Sequence, residues 1–281
     1  MPTRSVSFAG STVAIEYQSD RSAKIVQFLF GDMSPAAPAV APQVSYRLDW
    51  DDQTGRFALK KDGDSLLQSD TEAALADTLL GSVCYHLAWH SRGGLLFHAG
   101  GLEWQQHGLL LPGTMGAGKT TLTAQLLGRG FNYLSDEMVF IPQTSETMDA
   151  LPRPLNLKHP ARPVLKAQLD YTACHPTQIY SAHTTDLVPP RLFNPRTRFS
   201  APPLRLIIFP CYQPAAQFDL QPLTKAQAGL ELMKCLINAR NLPGHGFAEI
   251  SRLVKIAPAY KMSYANFEQV DNTIERLLNR A

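Results

Sequence analysis

Apolar and polar positions alternate with period two in SVSFAG, TVAIEY, KIVQFLF, VSYRLDW and RFALKK, with Asp/Ser/Gly clusters and the proline-rich MSPAAPAVAP between them. Residues 5–60 therefore read as a small antiparallel sheet. The period changes near residue 71, where Leu75, Leu79, Val83 and Leu87 recur at helical spacing behind a capping Asp70 or Thr71 and ahead of Gly93 and Gly94. This predicts a helix over 71–90 joining a β-rich N-terminal part, residues 1–65, to a larger part, residues 66–281.

The larger part reads as strand LLFHAGGLEW, strand QQHGLLLPG, a helix over 119–129 and strand FNYLSDEMVFI. That order is expected of an α/β fold: a sheet with flanking helices and a ligand at the strand ends. Gly130 stands where a helix stops on a left-handed residue. Residues 151–203 are rich in Pro, His, Arg and Thr and offer one short helix candidate, PARPVLKAQL. Regular patterning returns in strand LRLIIFPCY, helices TKAQAGLELMKCLINARN and FAEISRLVKI, strand AYKMSY and helix NFEQVDNTIERLL.

The turn between QQHGLLLPG and its helix satisfies G-x-x-x-x-G-K-[ST] through Gly113, Gly118, Lys119 and Thr120, with Gly116 inside it. This is the pattern of a P-loop (Walker A motif), and it predicts a nucleoside triphosphate as ligand. Residues Gly113, Thr114, Met115, Gly116, Ala117, Gly118, Lys119, Thr120 and Thr121 would curl backbone N–H groups around phosphate oxygens at a positive helix N-terminus. Lys119 would reach the β- and γ-phosphates, and Thr120 would offer its hydroxyl to Mg²⁺, a hard cation that keeps few protein oxygens. ATP and Mg²⁺ are thus the expected cofactors.

Composition narrows the remaining classes. With 281 residues and 44% hydrophobic content the chain can bury a large core, and a net charge of +2 from 26 basic and 24 acidic side chains gives no basic stripe for nucleic acid. Cys84, Cys174, Cys211 and Cys235 lie far apart, which removes zinc-ribbon and thioredoxin readings and fits a reducing compartment. No apolar run is long enough to span a membrane, so the expectation is a cytoplasmic protein without a membrane partner.

Asp136-Glu137 ends NYLS seventeen residues beyond Lys119, one helix and one strand away. A right-handed crossover would set a carboxylate there beside the phosphates, able to hold Mg²⁺ or take a proton from an attacking hydroxyl. Adjacent acids on a strand point to opposite faces, so one of the two faces the site unless the backbone bends. His98 ends LLFH on the preceding strand.

Together these spacings resemble the catalytic domain of the HPr kinase/phosphorylase family, in which a strand ending in His-Gly precedes the P-loop and an acidic pair ends the strand after its helix. Here His98 stands fifteen residues before Gly113, Arg129-Gly130 closes the helix, and Asp136-Glu137 holds the place of the acidic pair. The resemblance is strongest from Leu95 to Ile141. It implies a kinase that moves the γ-phosphate of ATP to a serine of a small protein or peptide, with Asp136 as base, His98 as the neighbour that orients it, Lys119 on the phosphates and Glu137 on the metal side. This sequence has Glu as the second acid where the family has Asp, and Thr120 where the family's P-loop ends in Ser. LPRPLNLKHP replaces the Glu-Ile-Arg-Gly-Leu-Gly signature of the family's dephosphorylating activity, offering Arg153 and Lys158 as phosphate-facing cations. A P-loop small-molecule kinase and a nucleotide-binding regulatory protein without phosphoryl transfer are the alternative readings, and a homo-oligomer is left open.

Overall fold

The computed structural model describes residues 1–33, 41–175 and 177–280, so most of MSPAAPAVAP lies outside the described residues. The chain opens with β1 (Thr3–Phe8), β2 (Ser11–Tyr17), α1 (Asp20–Phe30), β3 (Val44–Asp51), β4 (Arg56–Lys61) and β5 (Asp64–Ser69). Their five strands form one sheet in sequence order. It is mixed and not purely antiparallel, because β2 and β3 run parallel with α1 as the connection between them.

That helix corrects the reading of KIVQFLF as a strand. A short apolar run fits both periods, and local capping decides between them. Ser19 Oγ accepts from the Ser22 N–H at 3.1 Å, Asp20 sits at the positive end, and Ile25, Val26, Leu29 and Phe30 turn onto one buried stripe.

Next comes α2 (Glu72–Trp89), capped by Thr71 and burying Leu75, Leu79, Val83 and Leu87. Its apolar cluster runs from the first sheet into Leu96, Met138 and Phe140. After it come β6 (Gly94–Trp104), β7 (His107–Pro112), α3 (Lys119–Gly128), β8 (Asn132–Ser135) and β9 (Met138–Pro142). Then follow β10 (Leu155–Lys158), β11 (Tyr180–Ser181), β12 (Thr185–Val188), β13 (Leu204–Tyr212), β14 (Asp219–Pro222), α4 (Lys225–Cys235), α5 (Phe247–Ile256), β15 (Ala259–Tyr264) and α6 (Val270–Leu278).

The main sheet has the order β14-β15-β13-β7-β6-β8, with β9 also paired to β6. β7, β13 and β15 are parallel, whereas β6 is antiparallel to β7, β8 and β9. The mixed α/β class therefore follows from a parallel centre with antiparallel flanks. Both faces are covered: Leu122, Leu126, Ile274 and Leu278 of α3 and α6 pack on one, and Leu232, Ile250 and Leu253 of α4 and α5 on the other.

Three further differences have local causes. PARPVLKAQL is not a helix but a single 3-10 turn, His159–Ala161, followed by turns, since Pro160 and Pro163 lack the N–H that a helix needs. The region around it is less irregular than its composition implies, because β10, β12 and β11 form a small antiparallel sheet. TKAQAGLELMKCLINARN leaves the helix after Cys235: Leu236 is extended, and the Asn238 side chain bonds the β6 backbone, accepting from Leu96 N–H and donating to the Gly94 carbonyl, both at 3.0 Å. Among the described residues no helix is long and apolar enough to cross a membrane.

Candidate functional site

Leu109, Leu110 and Leu111 of β7 are fully buried, and the chain leaves the centre of the sheet at Pro112 as a connection to α3. Gly116 and Gly118 adopt φ of 86° and 92°, in the left-handed region that admits glycine without strain. A Cβ on Gly118 would also lie 2.6 Å from the Tyr264 hydroxyl. α3 starts at Lys119 with no side chain capping it, which leaves the positive end of the helix to the loop. Lys119 is buried, and its Nζ donates to the carbonyls of Gly113 at 2.8 Å and Thr114 at 3.0 Å. Burial lowers its pKa, against the pull of Glu137. Thr114, Met115 and Gly116 are exposed at the tip, while Gly113, Ala117, Gly118, Thr120 and Thr121 are half-buried.

Two residues of β6 join this loop to the acidic pair. The His98 carbonyl accepts from the Gly113 N–H at 3.4 Å, and the Ala99 N–H donates to the Glu137 carbonyl at 3.1 Å. FNYLSDEMVFI, expected as one strand, breaks at that point into β8 and β9. Ser135 Oγ causes the break by accepting from the N–H groups of Glu137 at 3.2 Å and Met138 at 3.1 Å, a side-chain bond that competes with the ladder.

The break turns the two carboxylates apart. Asp136 is 1% exposed; Oδ1 accepts from the Tyr133 hydroxyl at 3.0 Å and lies 3.4 Å from Arg153 Nε, and Oδ2 accepts from the Asn156 N–H at 3.2 Å. Arg153 is itself buried, with Nη1 3.7 Å from Cys84 Sγ. Burial works most strongly against its charge, but the Asp136 carboxylate, together with Cys84, Glu137 and Tyr133, outweighs it and raises the pKa. The Tyr133 phenol is pushed well up by burial and then by Asp136.

Glu137, by contrast, keeps a side chain that is 40% exposed, with Oε1 3.5 Å from His98 Nε2. Burial and then Lys119 lower the His98 pKa against the pull of Glu137 and Asp136, so the imidazole is neutral at pH 7.

Three expectations change accordingly. His98 stands against Glu137, and Asp136 has instead Tyr133, Arg153 and Asn156 as neighbours. Asp136, taken as the base, has no face open to an incoming hydroxyl. Arg153 faces Asp136 and not the loop, and Lys158 is exposed at the end of β10.

The residues missed in the sequence are tyrosines. Tyr212 and Tyr264 end the parallel strands β13 and β15, paired in register, with ring centroids 5.8 Å apart. The Tyr212 N–H donates to the Ala117 carbonyl at 3.1 Å, and the Tyr264 hydroxyl to the Gly118 carbonyl at 3.4 Å. Their signal was positional: both close strands parallel to β7, and the carboxyl ends of such strands form the crevice of an open α/β sheet.

The loop fits a phosphate chain, since it offers the Lys119 ammonium, left-handed glycines and an uncapped helix end. Among the described residues no group of three His, Cys, Asp or Glu side chains is placed to hold a metal alone. Mg²⁺ here would depend on phosphate oxygens besides the Thr120 hydroxyl or the Glu137 carboxylate.

No protein-family model and no curated protein matches the chain. Among solved structures it is similar to the Hpr(Ser) kinase/phosphatase from Coxiella burnetii, at 12% identity and a TM-score of 0.32, covering 66% of this chain and 94% of that one. A likeness at that level assigns no activity.

Proposed function

We propose that the chain is an ATP-dependent phosphotransferase that moves the γ-phosphate to a serine hydroxyl of a small protein or peptide. The observation that carries the reading is the meeting of loop 113–118 and the His98/Glu137 pair on adjacent residues of β6. In-line transfer needs little from a protein except positioned phosphates, neutralised charge and a group to take the acceptor's proton. The loop N–H groups and Lys119 hold the triphosphate, and Lys119 exchanges the Gly113 and Thr114 carbonyls for phosphate oxygens. Thr120 would hold Mg²⁺, which supplies charge neutralisation on the phosphates when bound.

Glu137 replaces Asp136 as proton acceptor, because its carboxylate is the one with an open side. His98 orients it, and Asp136 anchors the strand break from below. The serine oxygen bonds to the γ-phosphorus, the bond to the bridging oxygen breaks, ADP leaves and the hydroxyl proton passes to Glu137. The serine acceptor follows from the spacing of His98, Gly113 and Asp136 that resembles the HPr kinase family.

Incubation with labelled ATP, Mg²⁺ and small serine-bearing proteins tests the transfer directly. Binding is tested by thermal denaturation: ATP with Mg²⁺ at a hundredfold excess over Kd should stabilise by about 2.7 kcal/mol, and Lys119→Ala should abolish most of that shift. Equal ATP binding by wild type and Lys119→Ala in calorimetry would overturn the reading.

A further inference from the structure

The proposed transfer puts the γ-phosphate on the Glu137 side of the loop, which decides where the nucleoside must lie. Across the sheet β6 and β13 flank β7 on opposite sides. The acidic pair adjoins β6, and Tyr212 ends β13. β6 and β13 are two strand spacings apart, about 9.5 Å, on the scale of a triphosphate chain lying along the loop. A nucleotide whose terminal phosphate faces Glu137 therefore carries its base toward β13.

There the side chain of Tyr212 lies at the edge of the core cluster that contains Tyr264. It is 40% exposed, although its backbone is tied to Ala117 and its Cβ lies 2.8 Å from the position a Cβ on Gly118 would take. Its ring is braced from within by Tyr264, which is 1% exposed and meets it edge to face at 62°. A rigid aromatic ring half open to solvent, on the side of the phosphate loop away from the chemistry, has the form of a stacking platform.

We infer that Tyr212 is the surface on which the nucleotide base stacks, an inference that rests on the nucleotide reading of the loop. Stacking is tolerant, because every base has a π face. The neighbouring amide of Gln213 is directed to Cys211 Sγ at 3.5 Å, so ATP and GTP should both bind.

Calorimetry with ATP, GTP and inorganic tripolyphosphate, each with Mg²⁺, separates the base from the phosphates. Tyr212→Leu should weaken ATP and GTP by about five- to 150-fold and leave tripolyphosphate unchanged. Tyr212→Trp should retain ATP affinity, and its added indole fluorescence should be quenched by ATP but not by tripolyphosphate. Unchanged ATP affinity in Tyr212→Leu would overturn the platform, as would an equal loss for tripolyphosphate, which would make Tyr212 a support of the loop. If wild type binds tripolyphosphate through Lys119 and ATP no more tightly, the phosphate site stands and the platform falls. If wild type binds neither, the nucleotide reading itself fails and takes the platform with it.

Discussion

Asp136→Asn is expected to lower stability by about 3–5 kcal/mol, because it leaves the buried Arg153 guanidinium without its counter-charge. For a chain of this size that corresponds to a fall in Tm of about 5–8 °C. The loss belongs to the uncompensated charge and not to the hydrogen bonds, since the Asn carboxamide oxygen can still accept from the Tyr133 hydroxyl or the Asn156 N–H. Removing both charges should therefore be milder than removing one. In a double-mutant cycle Asp136→Asn with Arg153→Met should recover a large part of what Asp136→Asn loses, and Cys84 at the far side of Arg153 would then face a methyl group. Additive losses in denaturant melts would mean that the pair contributes nothing as a pair. Activity per folded molecule should survive in Asp136→Asn, because no oxygen of this carboxylate reaches solvent.

What the sequence made readable, and what it hid, divides by range. The loop could be found because its requirements are local: Gly116 and Gly118 need a left-handed backbone, and Lys119 follows at fixed spacing. α2 was equally plain, with eighteen residues over which only one period fits. KIVQFLF was too short to reveal its period, and its cap, Ser19, lies five residues upstream of the apolar run. The orientation of the acidic pair depends on Ser135 capturing two N–H groups and on an arginine seventeen residues further on, and neither is visible in alternation along one strand. Tyr212 and Tyr264 meet only through the register of β13 against β15, fifty-two residues apart. The loop and the acidic pair were thus readable at the site, whereas the two tyrosines and the division of roles between the carboxylates were not.

That division is tested most sharply at Glu137. Glu137→Gln keeps the shape of the side chain and removes its ability to take a proton, so kcat should fall by about 10²- to 10⁴-fold while ATP affinity changes little. The His98 side chain adds a pH signature. Its pKa lies below the ordinary 6.5 because burial and Lys119 disfavour its charge, so at neutral pH it stands uncharged beside Glu137. As pH falls through that lowered value the imidazole becomes cationic, holds the Glu137 carboxylate as an ion pair and makes it a weaker base. The rate should therefore stay level from neutrality to below pH 6.5 and then fall. His98→Ala should change the position or steepness of that acid limb in the kcat profile, which a purely structural role would leave in place. The assay requires an acceptor, or slow ATP hydrolysis in which water takes the place of the serine hydroxyl. Should Glu137→Gln keep full turnover while Asp136→Asn, folded and nucleotide-bound, is inactive, the buried carboxylate must open during the reaction and the roles return to the order of the sequence. Should both variants turn over at the wild-type rate, the acid pair takes no part in transfer, and the loop remains as a nucleotide site alone.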